Sequence, residues 1–445
     1  MTKLILSLII LLHIFILKNL VFFPYPELFI YPYLTNHGLK PYSQILDQHF
    51  PGLMFLPINL DNLGMHNEVD ARMWLLGIVL ITHILLFFIS SKIFKRSSKA
   101  LVVNLLYLIW QPFFEGWVLW IDNFLPLFLL PAFYFSIKKK FLLTGIFLGL
   151  GIVMKQTIIP LAGLLFLYIL YSRDFKSLWK YIIGAVIPVG LMLLFIIKEG
   201  YFAHFWYWTV VFNLTTYAQF GTQIPNNFGF LSRVFVVYAT SLLGFLDKDK
   251  HLKIILGIFL IGSLFGAFDR SNFVHFQPSL PFALIGTALG FYALTKRQIT
   301  FVLIGLYLVI AVWWQNIFYK GHVSNKVFFF DEETYAISNK IRQYSKIGDK
   351  IFVFGAAPHL YQMSQTLPAG DIFVFQFPWF LKIAQERILA GVKKDQPEIV
   401  VADRSVKIDN QDITEFAKEI DQYIQKNYLM IDQIGSTAIL RKISP

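Results

Sequence analysis

Pro24 to Gly52 reads PYPELFIYPYLTNHGLKPYSQILDQHFPG, and the other segments fall into place around it. It follows directly on a first hydrophobic run and is polar along much of its length. It carries two carboxylates, Glu27 and Asp47, with His37 and His49 beside them. Almost everything else before residue 318 reads as membrane helix. A long wet segment with acids and histidines, pinned at the mouth of a helical bundle, is a place for chemistry on a lipid-linked substrate.

Composition sets the class. Of 445 residues, 56% are hydrophobic and only 15% charged, against about a quarter charged in soluble domains. The chain is therefore expected to be a polytopic α-helical membrane protein with the lipid bilayer as its first partner. Its net charge of +12 raises the question of nucleic acid, and the distribution answers it. Residues 1–318 hold 23 Lys+Arg against 12 Asp+Glu, and residues 319–445 hold 16 against 15. The excess sits between hydrophobic runs, as membrane orientation requires, and forms no nucleic-acid footprint. The absence of cysteine excludes disulfides, thiolate metal sites and cysteine nucleophiles. The first hydrophobic run lacks a small-residue cleavage site and reads as a retained helix.

A span needs about 20 apolar residues, fewer inside a bundle. On that ruler about 11 helices are expected, at 3–22, 73–91, 100–114, 117–137, 141–154, 157–171, 181–197, 229–246, 252–267, 277–294 and 299–318. Fifteen cations fall in five alternate connections, from Lys92 to Lys99, Lys138 to Lys140, Arg173 to Lys180, Lys248 to Lys253, and Lys296 with Arg297. The opposite connections hold six: Lys40, Arg72, Lys155, Lys198, Arg233 and Arg270. The rich side should be cytoplasmic, which puts the N-terminus inside and everything after Tyr319 outside. Nine of the 12 acids, among them Glu27, Asp47, Glu115 and Asp122, then face outward. Connections must contain something polar, so many of these acids need do no more than meet solvent.

Asp122 is different, because it is expected one turn into a returning helix, where a carboxylate needs a partner or a water-filled cavity. Lys155 interrupts the hairpin GLGIVMKQTIIP at its outer end; it either snorkels or faces a lipid phosphate. The connection 198–228 is rich in aromatic residues, suited to an interfacial belt or to stacking on a sugar. In DRSNFVHFQP, Arg270 precedes His275 by five residues, a pair able to grip a phosphate directly or through a metal.

From about residue 319 the composition becomes soluble. Short apolar runs alternating with helical patterns indicate a small α/β domain, with strands at KIFVFG and EIVVAD and a closing pair turned at Gly435-Ser436. A dinucleotide-binding glycine loop is absent. The expected division is a membrane domain over 1–318, with a large first outer loop at 23–72, and a soluble extracytoplasmic domain over 319–445.

Taken in order, Glu27, then Gly38-Leu39-Lys40-Pro41-Tyr42, then Asp47-Gln48-His49-Phe50-Pro51-Gly52, LGLGIVMKQ ending in Lys155, DRSNFVHFQPSLP and the GDKIFVFG to QPEIVVAD stretch form a succession. It resembles the polyprenyl-phosphate-dependent glycosyltransferases of the GT-C fold, in particular bacterial relatives of the dolichyl-phosphate-mannose protein mannosyltransferases and of the lipid A aminoarabinose transferase. Ser43 stands where the family pattern has an acid, and Phe50 where it has the first of two prolines. The resemblance implies a multi-pass plasma-membrane enzyme. It would transfer a sugar from a polyprenyl-phosphate donor to a hydroxyl on a protein, lipid or glycan acceptor at the outer face. On that reading Asp47 or Glu27 is the base and Asp122 positions acceptor or sugar. Lys155, Arg270, His49 and Tyr42 meet the donor, and His49, His275 and Asp47 are candidate ligands for a divalent metal cation. A polysaccharide ligase or polymerase using lipid-linked sugars is the nearest rival, and a transporter or a non-catalytic scaffold are the others.

Overall fold

A helix lies at each of the eleven hydrophobic stretches of the chain. The computed structural model describes residues 1–220, 228–269, 272–294 and 298–443. Among these, five helices are long and apolar enough to cross a membrane: Glu68–Phe94, Phe175–Lys198, Phe228–Leu246, Lys250–Phe268 and Phe301–His322. Apolar helices at Ile121–Ile137, Phe141–Met154, Gln156–Tyr171 and Leu280–Leu294 are shorter, so a count of eleven crossings does not follow from length alone. The chain is a polytopic membrane protein.

By contact it divides into two units. The first comprises Met1–Phe23, Val69–Leu194 and the described residues of Gly221–Lys326; the second comprises Pro24–Glu68, Phe195–Phe220 and the described residues of Val327–Pro445. Two stretches that the sequence places among membrane connections thus belong with the residues from 327 onward.

The first unit is a helical bundle whose interior is packed by rings and small residues. Phe133, Phe259 and Phe282 meet pairwise with centroids 5.2–5.4 Å apart. The helices Phe141–Met154 and Phe175–Lys198 touch backbone to backbone. A Cβ on Gly145 would overlap the Tyr181 carbonyl, and one on Gly184 the Leu142 carbonyl. Small residues permit such approach in a membrane, where dispersion between close helices supplies much of the attraction. The opposite side of Phe175–Lys198 exposes Trp179, Ile183 and Leu191, a face suited to lipid. A buried polar chain crosses the unit, from Asn104 to His83, His83 to His13 at 2.8 Å, and His13 to Gln111 at 3.0 Å. Paired in this way at both ring nitrogens, the two imidazoles do not carry the cost of being buried without partners.

The second unit is built on a five-stranded sheet. In spatial order its strands are Tyr428–Ile434, Thr437–Lys442, Ile399–Asp403, Lys350–Phe354 and Leu367–Pro368. The last three are mutually parallel, and the Thr437–Lys442 strand runs antiparallel to Ile399–Asp403. The hairpin at the edge turns on Gly435, whose φ of +56° suits the first central position of a tight two-residue turn. Asp331 accepts from Thr334 N at 2.9 Å and starts the helix Glu332–Tyr344, supplying one of the acceptors that a helix N-terminus lacks. The segment DIFVF leaves this sheet: Phe373–Val374 pairs in parallel with Ile45–Leu46 of the Pro24–Gly52 stretch. Tyr33 donates to Thr366 O at 3.1 Å, and Asn213 donates to Gln48 O at 3.0 Å. Phe212 stacks flat on Phe380. The quoted stretch is thereby clamped within this unit by two segments distant in sequence.

Candidate functional site

Each unit holds one cluster of the side chains singled out by the sequence. In the second unit, Pro51 and Gly52 begin the short helix Gly52–Phe55, and the preceding chain folds back so that Asp47 is 2% exposed. Its Oδ2 accepts from Tyr31 Oη at 2.7 Å. Its Oδ1 accepts from His49 N at 2.7 Å and lies 2.9 Å from His49 Nδ1. A carboxylate only accepts, so His49 Nδ1 carries the proton and Nε2 is the basic nitrogen of that ring. The side chain of His49 is 24% exposed against 3% for Asp47. Burial, then the charges of Asp47 and Glu27, push the Tyr31 phenol well up, so it stays a donor. Glu27, half-buried, opens the helix Glu27–Asn36, where the helix N-terminus favours its charge. Tyr42 is fully buried at φ +62°, and its hydroxyl donates to His49 O at 2.9 Å. That hydroxyl therefore braces the Asp47–His49 turn from inside.

In the first unit the sequence expectation for Asp122 needs adjustment. The helix expected from 117 begins at Ile121, because Pro112–Gly116 forms a wide turn with Glu115 at φ +55° and Val118–Leu119 is extended. Asp122 thus sits in the first turn of its helix. It has the partner its burial requires. Lys155 Nζ donates to Oδ2 at 2.6 Å, and His275 Nδ1 lies 3.0 Å from the same oxygen and 3.3 Å from Nζ. Lys155 is extended, at φ −157°, between the helices Phe141–Met154 and Ile159–Tyr171, and only 7% of its side chain is exposed. It does not snorkel. Asp122 Oδ1 is buried and makes no hydrogen bond to any described residue; a Cβ on Gly266 would lie 3.8 Å from it. A buried carboxylate oxygen left open beside a glycine is an acceptor available to a hydroxyl.

The metal ligands expected from the sequence separate by unit. Asp47 and His49 pair with each other in the second, and His275 joins Asp122 and Lys155 in the first. Lys155 occupies the position on Asp122 Oδ2 that a divalent cation would need, and metal sites are built from carboxylates, imidazoles and neutral oxygens rather than ammonium groups. Among the described residues no group of three or more His, Asp or Glu side chains could hold a metal.

No protein-family model matches the sequence, and no curated protein matches it. Solved structures do. The crystal structure of ArnT from Cupriavidus metallidurans bound to undecaprenyl phosphate aligns with a TM-score of 0.64 at 13% identity, over 99% of this chain and 98% of that one. The chain has the ArnT fold. The apo form of the same protein aligns with a TM-score of 0.62 at 12% identity, over 99% and 97% of the two chains. The GT-C fold that the residue succession implied is therefore the fold present.

Within the ArnT fold, Arg270 lies outside the described residues. Two charged groups of the first unit were counted in the sequence but assigned no role, Glu115 and Arg233. Glu115 Oε2 accepts from Val274 N at 3.0 Å, one residue before His275. Burial raises its carboxyl, while the Val274 N–H and the Arg233 charge work against that shift. Arg233 lies between two phenyl rings, with Cζ 4.0 Å from the Phe113 centroid and 4.1 Å from that of Phe273. The available signal was local: both charges interrupt aromatic or apolar runs, in FFEGW and FLSRVF.

Proposed function

We propose that this protein is an integral-membrane glycosyltransferase that moves a sugar from a polyprenyl-phosphate donor to an acceptor hydroxyl, with inversion, on the extracytoplasmic side of the plasma membrane. The observation that carries this reading is the ArnT fold over nearly the full chain, since the neighbour with that fold holds undecaprenyl phosphate. The two side-chain clusters support it. A phosphate is already a good leaving group, so the demands fall on the nucleophile and on the charge left behind. An acceptor hydroxyl is a poor nucleophile at neutral pH and needs a base within about 3 Å. The Asp47–His49 pair supplies one: the carboxylate orients the ring through Nδ1, and Nε2 takes the proton. Glu27 is the alternative base. Charge developing on the leaving phosphate calls for fixed cations and donors, which Lys155 and Arg270 contribute. The open Oδ1 of Asp122 receives a hydroxyl of the sugar or acceptor.

The test is release of polyprenyl phosphate from a panel of polyprenyl-phosphate sugars by purified, reconstituted protein, with candidate acceptors supplied. Asp47→Asn, which removes the acceptor that orients the His49 ring, is expected to lower release by roughly 100-fold or more, comparable to loss of the base itself, while the protein stays folded and binds donor. Wild-type rates in both Asp47→Asn and Glu27→Gln would remove the base assignment. No release from any donor by wild-type protein would remove the reaction.

A further inference from the structure

The strand Lys350–Phe354 of the second unit ends at Gly355, whose φ of +70° lets the chain turn beside the Asp403 carbonyl, where a Cβ would overlap it. At this turn lies a cavity of about 110 Å³. Its place, beside the carboxyl ends of parallel strands, is where open α/β sheets take their ligands. Phe352, Tyr361, Phe373 and Ile388 are buried at its floor, and Pro358, Gln376, Phe377 and Ile408 are half-buried at its mouth. Among the described residues that line it, none is charged. The two polar side chains are engaged with backbone. Gln376 Oε1 accepts from Gly355 N at 2.8 Å and Nε2 donates to Val353 O at 2.7 Å, while Tyr361 Oη accepts from Val353 N at 2.9 Å.

Such walls select by chemistry. A charged group would be buried there without a partner, and a hydroxylated sugar ring would lose water from its hydroxyls without replacement. An apolar cavity of about 150 Å³ takes up benzene, so the space here suits a single ring. Five of the lining residues, Phe352, Tyr361, Phe373, Phe375 and Phe377, carry rings themselves. Rings meeting edge-to-face or offset gain beyond the burial of their area. We infer that this cavity is a binding site for an uncharged aromatic ring. Its wall is shared with the candidate base: Phe373 and Phe375 pack edge-on against Tyr31, with centroids 6.0 and 5.5 Å away, and Tyr31 donates to Asp47. The ligand thus sits behind the rings that support the Asp47–His49 pair. Binding rests on the cavity alone and not on the transfer reaction proposed above.

The chain has no cysteine, so Ile408→Cys places a unique thiol at the mouth. Ile347→Cys places one elsewhere on the same unit, at a position 80% exposed. Each full-length protein, in maltoside detergent, is labelled with N-ethylmaleimide in rising concentrations of benzyl alcohol, cyclohexylmethanol or methyl glucoside. The inference predicts that benzyl alcohol slows labelling of Ile408→Cys saturably, by about 3-fold or more, with half of the effect near about 1 mM, as a ligand of about eight heavy atoms can supply. Labelling of Ile347→Cys should not change. Cyclohexylmethanol, which lacks an aromatic face, should need about 3-fold more for the same effect, and methyl glucoside should have none. Ile388→Phe added to Ile408→Cys fills the cavity from its floor and should abolish protection. If that protein does not fold, the contrast between the two thiols decides. Equal slowing of both thiols, slowing of neither, or protection retained in folded Ile388→Phe would overturn the inference. Protection by methyl glucoside, or equal half-effects for the two alcohols, would overturn the assignment to an aromatic ring.

Discussion

Replacing Lys155 by methionine removes the ammonium 2.6 Å from Asp122 Oδ2 while keeping most of the side chain's length and apolar stem. Two unit charges at that separation attract by about 6 kcal/mol at an effective dielectric constant of 20. Most of this repays the removal of both charges from water, so the intact pair adds little net stability. Breaking it is another matter, because Asp122 is fully buried and would be left charged without its partner, at a cost of about 3–5 kcal/mol. His275 Nδ1, 3.0 Å from the same oxygen, can take up part of the charge and moves the expectation to about 3 kcal/mol. Lys155→Met should therefore lower the thermal midpoint of the purified protein, followed by tryptophan fluorescence in detergent. The double variant Asp122→Leu with Lys155→Met should recover most of that loss, since no buried charge remains. The two substitutions would then be non-additive by at least about 2 kcal/mol. Polyprenyl phosphate release should be lost in both variants, which separates the contribution to folding from the contribution to transfer. A Lys155→Met protein with the wild-type midpoint, or a double variant that loses the sum of the two single effects, would refute the reasoning.

Two further outcomes follow from single contacts. Burial of His359 lowers its imidazole pKa from the ordinary 6.5 to about 4, so the unfolded chain binds the proton first as pH falls. The stability held at pH 7 should decline by about 3 kcal/mol between pH 6.5 and 4. His359→Gln, which keeps a donor for the Phe329 carbonyl, should flatten that dependence, and identical midpoint-against-pH curves for the two proteins would sink the assignment. Gly145→Val places a branched side chain against the Tyr181 carbonyl and should prevent accumulation of folded protein. Gly163→Val, with open space around its Cβ position, should be recovered at wild-type levels; equal yields of both variants would contradict the close packing.

What could be read before the structure was what local pattern controls. Hydropathy located a helix at each apolar stretch, and alternation with turn chemistry located the strands at Lys350–Phe354 and Ile399–Asp403 and the Gly435-Ser436 hairpin. The demand that a buried carboxylate be paired correctly singled out Asp122, although its helix starts four residues later than periodicity suggests, because Glu115 adopts a left-handed conformation that hydropathy does not register. The pairing of Ile45–Leu46 with Phe373–Val374 was not legible, since two-residue strands have no measurable period and their partner lies hundreds of residues away. For Arg233 only the charge interrupting FLSRVF could be seen; the Phe113 and Phe273 rings beside it come from other segments, and nothing local announces them.

The three-part make-up of the second unit has a consequence for biosynthesis. Residues 24–68 leave the ribosome early, yet the strand that pairs with Ile45–Leu46 and the carbonyl that receives the Tyr33 hydroxyl lie beyond residue 360. Loop closure over such a distance delays these contacts, so the stretch bearing Asp47 and His49 must wait, hydrated and without its later partners, while the intervening helices are threaded into the bilayer. The maturation of that unit is therefore a post-insertion event, and a nascent chain arrested before residue 360 would carry both residues in a form still open to proteases.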